Sequence, residues 1–203
     1  SGDYLIFLDQ DIIYTRNFIS TFVEHASSDR FLVAWPIRLK PRQMQQLTDE
    51  MILSGDYSSL ITKEQRARIN KQYHKDRFYS FCKKVKARDI GPKLRSGLFA
   101  VSRDNYFKVN GFDEKYQGWG NEDDDMGRHF HAAGIVGHNP FRHEFPLHMY
   151  HEPNHDEKIR MNLHYYEQRK KQIHHGDFYC EFGIDNPLGD EEVEVADIYV
   201  IGR

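Results

Sequence analysis

An α/β domain is predicted for this 203-residue chain by three observations. Residues 4–8 and 31–35 are short apolar, aromatic and branched runs with strand character. The first of them delivers the acids of Asp9-Gln10-Asp11 at its carboxyl end. From Glu122 onward, Met126, Phe130 and Ala133 recur at the i, i+4, i+7 spacing of a helix with one core-facing stripe.

The elements follow in order. Residues 4–8 read as a buried strand, and a turn after Asp11 leads into a helix at about 15–26. Residues 31–35 form a second strand, after which Pro36 and Pro41 open a long polar insertion reaching to about residue 93. Within it, residues 43–53 and 63–86 have helical character. The second stretch carries many Lys and Arg interleaved with Tyr73, Phe78, Tyr79 and Phe81. Such a helix either rests on an anionic membrane or holds an acidic acceptor, or is a solvated face over a packed aromatic stripe. The helix at Glu122 follows, then an alternating segment at 145–147. Helical periodicity returns at about 156–175, residues 190–194 read as an acidic loop, and residues 197–201 as a final strand.

Composition bounds the partners. A net charge of −3 and a pI near 6.4 give no case for nucleic acid. Two cysteines, Cys82 and Cys180, do not make a disulfide framework and fit a reducing compartment. No apolar run is long enough to span a bilayer and no signal peptide is seen at Ser1, so the expected location is cytoplasmic, with peripheral contact at an inner membrane face.

Three groups of residues carry candidate chemistry. In Gly118-Trp119-Gly120-Asn121-Glu122-Asp123-Asp124-Asp125, four adjacent carboxylates repel one another. They persist only if solvated, favoured by a helix N-terminus, or matched to a ligand. Asn121 is a good N-cap, and acids in the first turn suit the helix dipole, so a capping role alone is one explanation. The other starts from Asp123, three residues before Met126 and so on the core-facing side, where partial desolvation raises proton affinity and suits a general base. Glu122, Asp124 and Asp125 point elsewhere, to bind hydroxyls or face water, and Trp119 offers a platform for a sugar ring. Asp9 and Asp11 at a strand end suit a divalent cation carrying phosphate oxygens, or else form a turn and N-cap. Ten of the twelve histidines lie between His129 and His175. His148 and His151, three apart before the Glu152-Pro153 turn, can converge on one metal. His129, His131, His138, His143, His164, His174 and His175 receive no role.

The ordered combination resembles a family. Asp9-Gln10-Asp11 after an apolar strand, then Arg95-Ser96-Gly97-Leu98-Phe99-Ala100-Val101-Ser102, then Asn110-Gly111-Phe112-Asp113 running into the Gly-Trp-Gly-x-Glu-Asp-Asp-Asp element, then a His-x-x-His pair, is similar to metal-dependent inverting glycosyltransferases of the GT-A fold. The β-1,4-galactosyltransferase type and bacterial family 2 enzymes with the same carboxyl-terminal segment resemble it most, over about residues 3–155. The resemblance implies that residues 1–155 are the carboxyl-terminal part of a GT-A catalytic domain with its insertion at about 41–93, followed by an extension at 156–203. The amino-terminal nucleotide-binding strands of that fold are expected upstream of Ser1. It also implies roles: Asp11 and His151 as ligands of Mn²⁺ or Mg²⁺, with His148 in a position where the animal enzymes have methionine. Asp9 and Gly97 would lie at the donor, Asp123 would be the base, and Glu122 and Asp124 would hold the acceptor sugar. Trp119 and Gly120 would belong to a loop that closes over substrate. The implied donor is a UDP-sugar and the implied acceptor a glycan or lipid-linked saccharide.

Two rival classes use the same residue types. A metal-dependent phosphohydrolase would cluster acids and histidines around a dinuclear centre, and a non-catalytic carbohydrate-binding fragment would need Trp119 and the acids but no base.

Overall fold

The computed structural model describes residues 2–94, 97–118, 120–152, 161–174 and 176–189. Trp119 and the expected acidic loop and final strand beyond residue 189 lie outside them, as do the first residues of the helix expected from 156. In chain order the elements are β1 (Tyr4–Phe7), β2 (Ile12–Ile13), α1 (Phe18–Glu24), β3 (Arg30–Val33), β4 (Ile37–Arg38), α2 (Pro41–Met44), α3 (Asp49–Ser54) and α4 (Lys63–Lys84). They continue with β5 (Phe99–Ser102), α5 (Arg103–Lys108), α6 (Glu122–Ala132), β6 (Val136–His138), β7 (Leu147–His148) and α7 (Leu163–Gln172).

A four-stranded sheet runs in the order β1-β5-β3-β6. β5 is antiparallel to both β1 and β3, while β6 is parallel to β3. Strand alternation then sorts side chains to opposite faces. Phe31, Val33, Phe99 and Val101 meet Met126 and Phe130 of α6 in one core, and Leu32, Ala34, Leu98 and Ala100 meet Phe18 and Phe22 of α1 in another. The result is a mixed α/β layering with a helix on each face.

Several expected boundaries move. The strand expected to be buried, β1, is an edge strand among the described residues and is half-buried throughout, because only β5 pairs with it. The helix expected at about 15–26 shortens at both ends to α1, and residues 12–13 before it form β2. The helix expected at 43–53 is two helices, with Thr48 accepting from Met51 N at 3.3 Å to start the second. The helix expected from 63 does form, as α4, opened by a capping box between Thr62 and Gln65.

The insertion packs through Tyr57 and Leu60 against residues that flank it in sequence. Ile37, Leu39, Tyr57, Leu60, Phe145 and Leu147 form a third core beneath α2 and α3. A second, three-stranded sheet β2-β7-β4 crosses from it to the main sheet. The inner face of α4 lies along β6, where Ser80 Oγ donates to the Gly137 carbonyl at 2.6 Å. Buried Asp76 accepts from Gln72, Trp35 and Asn139 at 2.7, 2.9 and 2.9 Å. Burial still pushes its carboxyl above the ordinary range against those three donors.

Candidate active site

Two clusters form at the carboxyl end of β1. The first is an acidic cleft of about 300 Å³ lined by Phe7, Leu8, Asp9, Gly97, Phe99, Phe112, Glu122 and Asp123. Its floor is aromatic: Phe7 stacks on Phe99 with centroids 4.3 Å apart, and Phe112 meets both edge-on at 6.0 Å. Pairing of Phe7 with Phe99 sets the end of β1 beside the turn that precedes β5. That turn is why Gly97 is required. Its φ is +56°, and a Cβ there would overlap the Asp9 carboxylate. Its N–H donates to Asp123 Oδ2 at 3.1 Å, so one residue without a side chain seats an acid from each side of the cleft.

The crowding shows in proton affinity. Partial desolvation pushes the Asp9 carboxyl up, and the charges of Asp123 and Asp11 push the same way against His148. Burial pushes Glu122 up as well, with Asp123 and Asp9 adding to it against backbone hydrogen bonds. Glu122 Oε2 is buried and has no hydrogen-bond partner among the described residues. Asp123 is half-buried in this cleft, and Glu122, expected to point elsewhere, lines it as well, because both belong to the first turn of α6 facing β1.

The loop entering α6 departs from expectation. Asn121 makes no side-chain cap and takes a left-handed conformation at φ 77°, following Gly118 at 64° and Gly120 at 106°. Space around both glycines is open, so it is these dihedrals that call for glycine. Asn162, at the start of α7, ties the loop from both sides: its Nδ2 donates to the Gln117 and Gly120 carbonyls at 3.0 Å each, and its Oδ1 accepts from Gln117 N at 3.1 Å.

The other two acids of the run are committed to the protein. Asp124 accepts from Lys93 Nζ at 2.9 Å and from the Tyr166 hydroxyl. Burial pushes its carboxyl up, but those two bonds and the Lys93 charge bring it below its ordinary value. Asp125, expected to bind hydroxyls or face water, is buried at 1% exposure and pairs with His129 at 3.2 Å. His129 in turn meets the Phe178 carbonyl at 2.6 Å and Arg169 at 3.1 Å. Neither Lys93 nor Tyr166 carries a local sequence signal, because each reaches Asp124 from tens of residues away.

The second cluster is a histidine corner. β2 pairs antiparallel with β7 in a register that sets Ile12 opposite His148, and Met149 N donates to the Asp11 carbonyl at 2.9 Å. Asp11 Oδ2 then lies 3.2 Å from His148 Nε2 and 3.3 Å from His151 Nε2. The three candidate ligand atoms fall within 4.8 Å of one another. His148 Nδ1 meets the Met149 carbonyl at 2.8 Å and His151 Nδ1 the Glu152 carbonyl at 3.1 Å. Each carbonyl holds a proton on Nδ1 and leaves the Nε2 lone pair facing the carboxylate. A proton on an imidazole or a cation between the three atoms would offset the carboxylate charge at this point. This donor set of one carboxylate and two imidazoles fits a divalent metal. Tyr14, which the sequence does not single out, belongs to the same corner: burial pushes its phenol up, and Asp9 and Asp11 push it further.

Part of this chain is similar to known proteins. A family model described as the N-terminal domain of galactosyltransferase matches residues 76–152, which contain Gly97 and the four acids of α6, both histidines of the corner, but not Asp9 or Asp11. The matched segment is galactosyltransferase-like. Among curated relatives, beta-1,4-galactosyltransferase 4 of Rattus norvegicus is 56% identical over 34 residues, 17% of this chain and 10% of that protein. Beta-1,4-galactosyltransferase 3 of Homo sapiens is 43% identical over 44 residues, 22% of this chain and 11% of that protein, and the Bos taurus protein matches equally. The matched stretches thus span about a tenth of the length of these relatives.

Proposed function

We propose that this chain carries the acceptor and metal side of a GT-A-type inverting glycosyltransferase, of the kind shared with bacterial family 2 enzymes, which moves a hexose from a UDP-sugar to a glycan hydroxyl. The observation that carries the proposal is the placement of a three-ligand corner and a three-acid cleft at one sheet edge, close enough that Asp9 is influenced by Asp123, Asp11 and His148 together. Asp11, His148 and His151 would hold the cation. The two imidazoles favour Mn²⁺ over Mg²⁺, which prefers an all-oxygen octahedron. Bound there, the metal supplies positive charge to the diphosphate leaving group.

The chain's own residues do the rest. Asp123, steadied by the Gly97 amide, accepts the proton of the acceptor hydroxyl as its oxygen attacks the anomeric carbon, and the sugar–phosphate bond breaks on the opposite face with inversion. Glu122, desolvated beside it, accepts a hydrogen bond from an acceptor hydroxyl. The aromatic floor excludes water from the attacking oxygen. Asp124, fixed by Lys93 and Tyr166, holds the first turn of α6 and presents its remaining acceptor capacity to the sugar. Asp9 completes the cleft, and a substrate-binding role for Trp119 and Gly120 is part of the proposal.

The test is calorimetric and kinetic. Titration of Mn²⁺ and then UDP into wild type should show saturable metal binding that strengthens nucleotide binding. Asp123→Asn should retain both while transfer falls by roughly 10²- to 10⁴-fold. Equal transfer by mutant and wild type would remove Asp123 from its role. Sugar nucleotide turning over to phosphate products with no acceptor required would instead assign the site to a hydrolase.

A further inference from the structure

The outer face of α4 is unused by any of the chemistry above. At 100° per residue, Phe78, Phe81 and Val85 lie within about 60° of arc on the side of α4 opposite Asp76 and Ser80, which face β6. Their exposures are 60%, 62% and 54%. Lys71, Lys75 and Lys84 are exposed around them, and among the described residues none of the three makes an ion pair. The acid on this face, Glu64, is taken by Arg68 at 3.2 Å.

We propose that this face docks on an anionic lipid bilayer. Charge complementarity selects the occupant. Lysines, which are depleted at protein–protein interfaces, ring an apolar centre, and their alkyl stems reach past buried aromatic side chains to lipid headgroups. Anionic headgroups attract such clusters through a field that falls off within a Debye length. The geometry is compatible with catalysis. Asp76 contacts Trp35 and Asn139, just beyond the carboxyl ends of β3 and β6, whereas Ser80 contacts Gly137 inside β6. α4 therefore runs antiparallel to these strands, and Phe81 and Val85 sit toward the end of the sheet remote from the acidic cleft. A docked molecule keeps its cleft open to solvent. No helix among the described residues is long and apolar enough to cross a membrane, so the contact is a surface one.

Sedimentation of the full chain with vesicles of phosphatidylserine and phosphatidylcholine, against phosphatidylcholine alone, tests this. Partition should be at least about tenfold stronger on the anionic vesicles and should weaken on raising salt from 0.1 to 0.5 M. Phe78→Ser with Phe81→Ser should reduce it by about tenfold or more, and so should the charge variant Lys71→Glu, Lys75→Glu, Lys84→Glu, whose exposed sites leave folding intact. Equal partition on both vesicle types, or unchanged binding in the charge variant, would overturn the proposal. A concentration-dependent dimer without lipid that Phe78→Ser and Phe81→Ser abolish would assign the face to a second copy instead.

Discussion

The acidic cleft and the histidine corner are built from similar charges at one sheet edge, and the backbone treats them in opposite ways. In the cleft, Asp9, Glu122 and Asp123 are crowded over Phe7, Phe99 and Phe112, so that Asp9 and Glu122 hold their protons more tightly than free carboxylates do. In the corner, carbonyls orient two imidazoles so that lone pairs converge with Asp11 on one point. The first arrangement raises proton affinity, and the second is the proposed cation site. The difference teaches that acid-rich segments of one chain acquire distinct chemistry from desolvation and second-layer hydrogen bonds rather than from residue type.

That contrast can be broken from either side. The largest effect should come from Asp123→Asn, with the loss of transfer at intact donor binding given above. Next, His151→Ala should weaken Mn²⁺ by about 10- to 100-fold or more, since even supporting partners of metal ligands contribute that much. Calorimetry should find its cleft chemistry otherwise unaltered, and full Mn²⁺ affinity in this variant would take His151 out of the corner. Gly97→Ala should cost roughly 1–2 kcal/mol for its left-handed φ alone, and more from overlap with Asp9, read as a lower midpoint in urea. A midpoint matching wild type would show that the Asp9–Gly97 contact has room to relax.

The smallest effect sharpens the comparison through pH. Because the folded-state pKa values of Asp9 and Glu122 are raised, the folded protein binds more protons than the unfolded chain. Stability tied to these groups is full below the unfolded value near 4 and is lost as pH rises through the folded values. Asp9→Asn and Glu122→Gln should therefore melt about 1–3 °C above wild type at pH 7, a gap that closes toward pH 4. Scanning calorimetry at both pH values decides it: a gap independent of pH would place the effect in packing rather than charge. Asp124→Asn should move the other way, because its folded value is lowered and the lost interactions with Lys93 and Tyr166 matter most above pH 4.

The elements that were legible in the sequence are those with local causes. The stripe Met126, Phe130 and Ala133 announces α6, the helical character of residues 63–86 announces α4, and the His-x-x-His spacing marks the corner. Readings that rested on one neighbour's identity did worse. Asn121 is an ordinary cap by type, yet the turn from Gly118 and Gly120 forces it left-handed and takes its side chain out of capping geometry. Asp125 looks like its three neighbours in the run, yet helix rotation carries it inward to His129.

By itself, then, the amino-acid sequence determined the α/β class, the strand-end acids and the paired histidines, because periodicity and spacing are set within a turn or a strand. Tertiary structure alone decided that Asp11 meets His148 and His151, through the β2–β7 register, and that Gly97 seats both Asp9 and Asp123. It likewise decided that two of the four adjacent carboxylates are tied to other elements, by bringing Lys93 and Tyr166 to Asp124 and His129 to Asp125. These outcomes depend on contacts between residues far apart in the chain, and burial and Coulomb energy, which set proton and cation affinity, are properties of the packed surroundings.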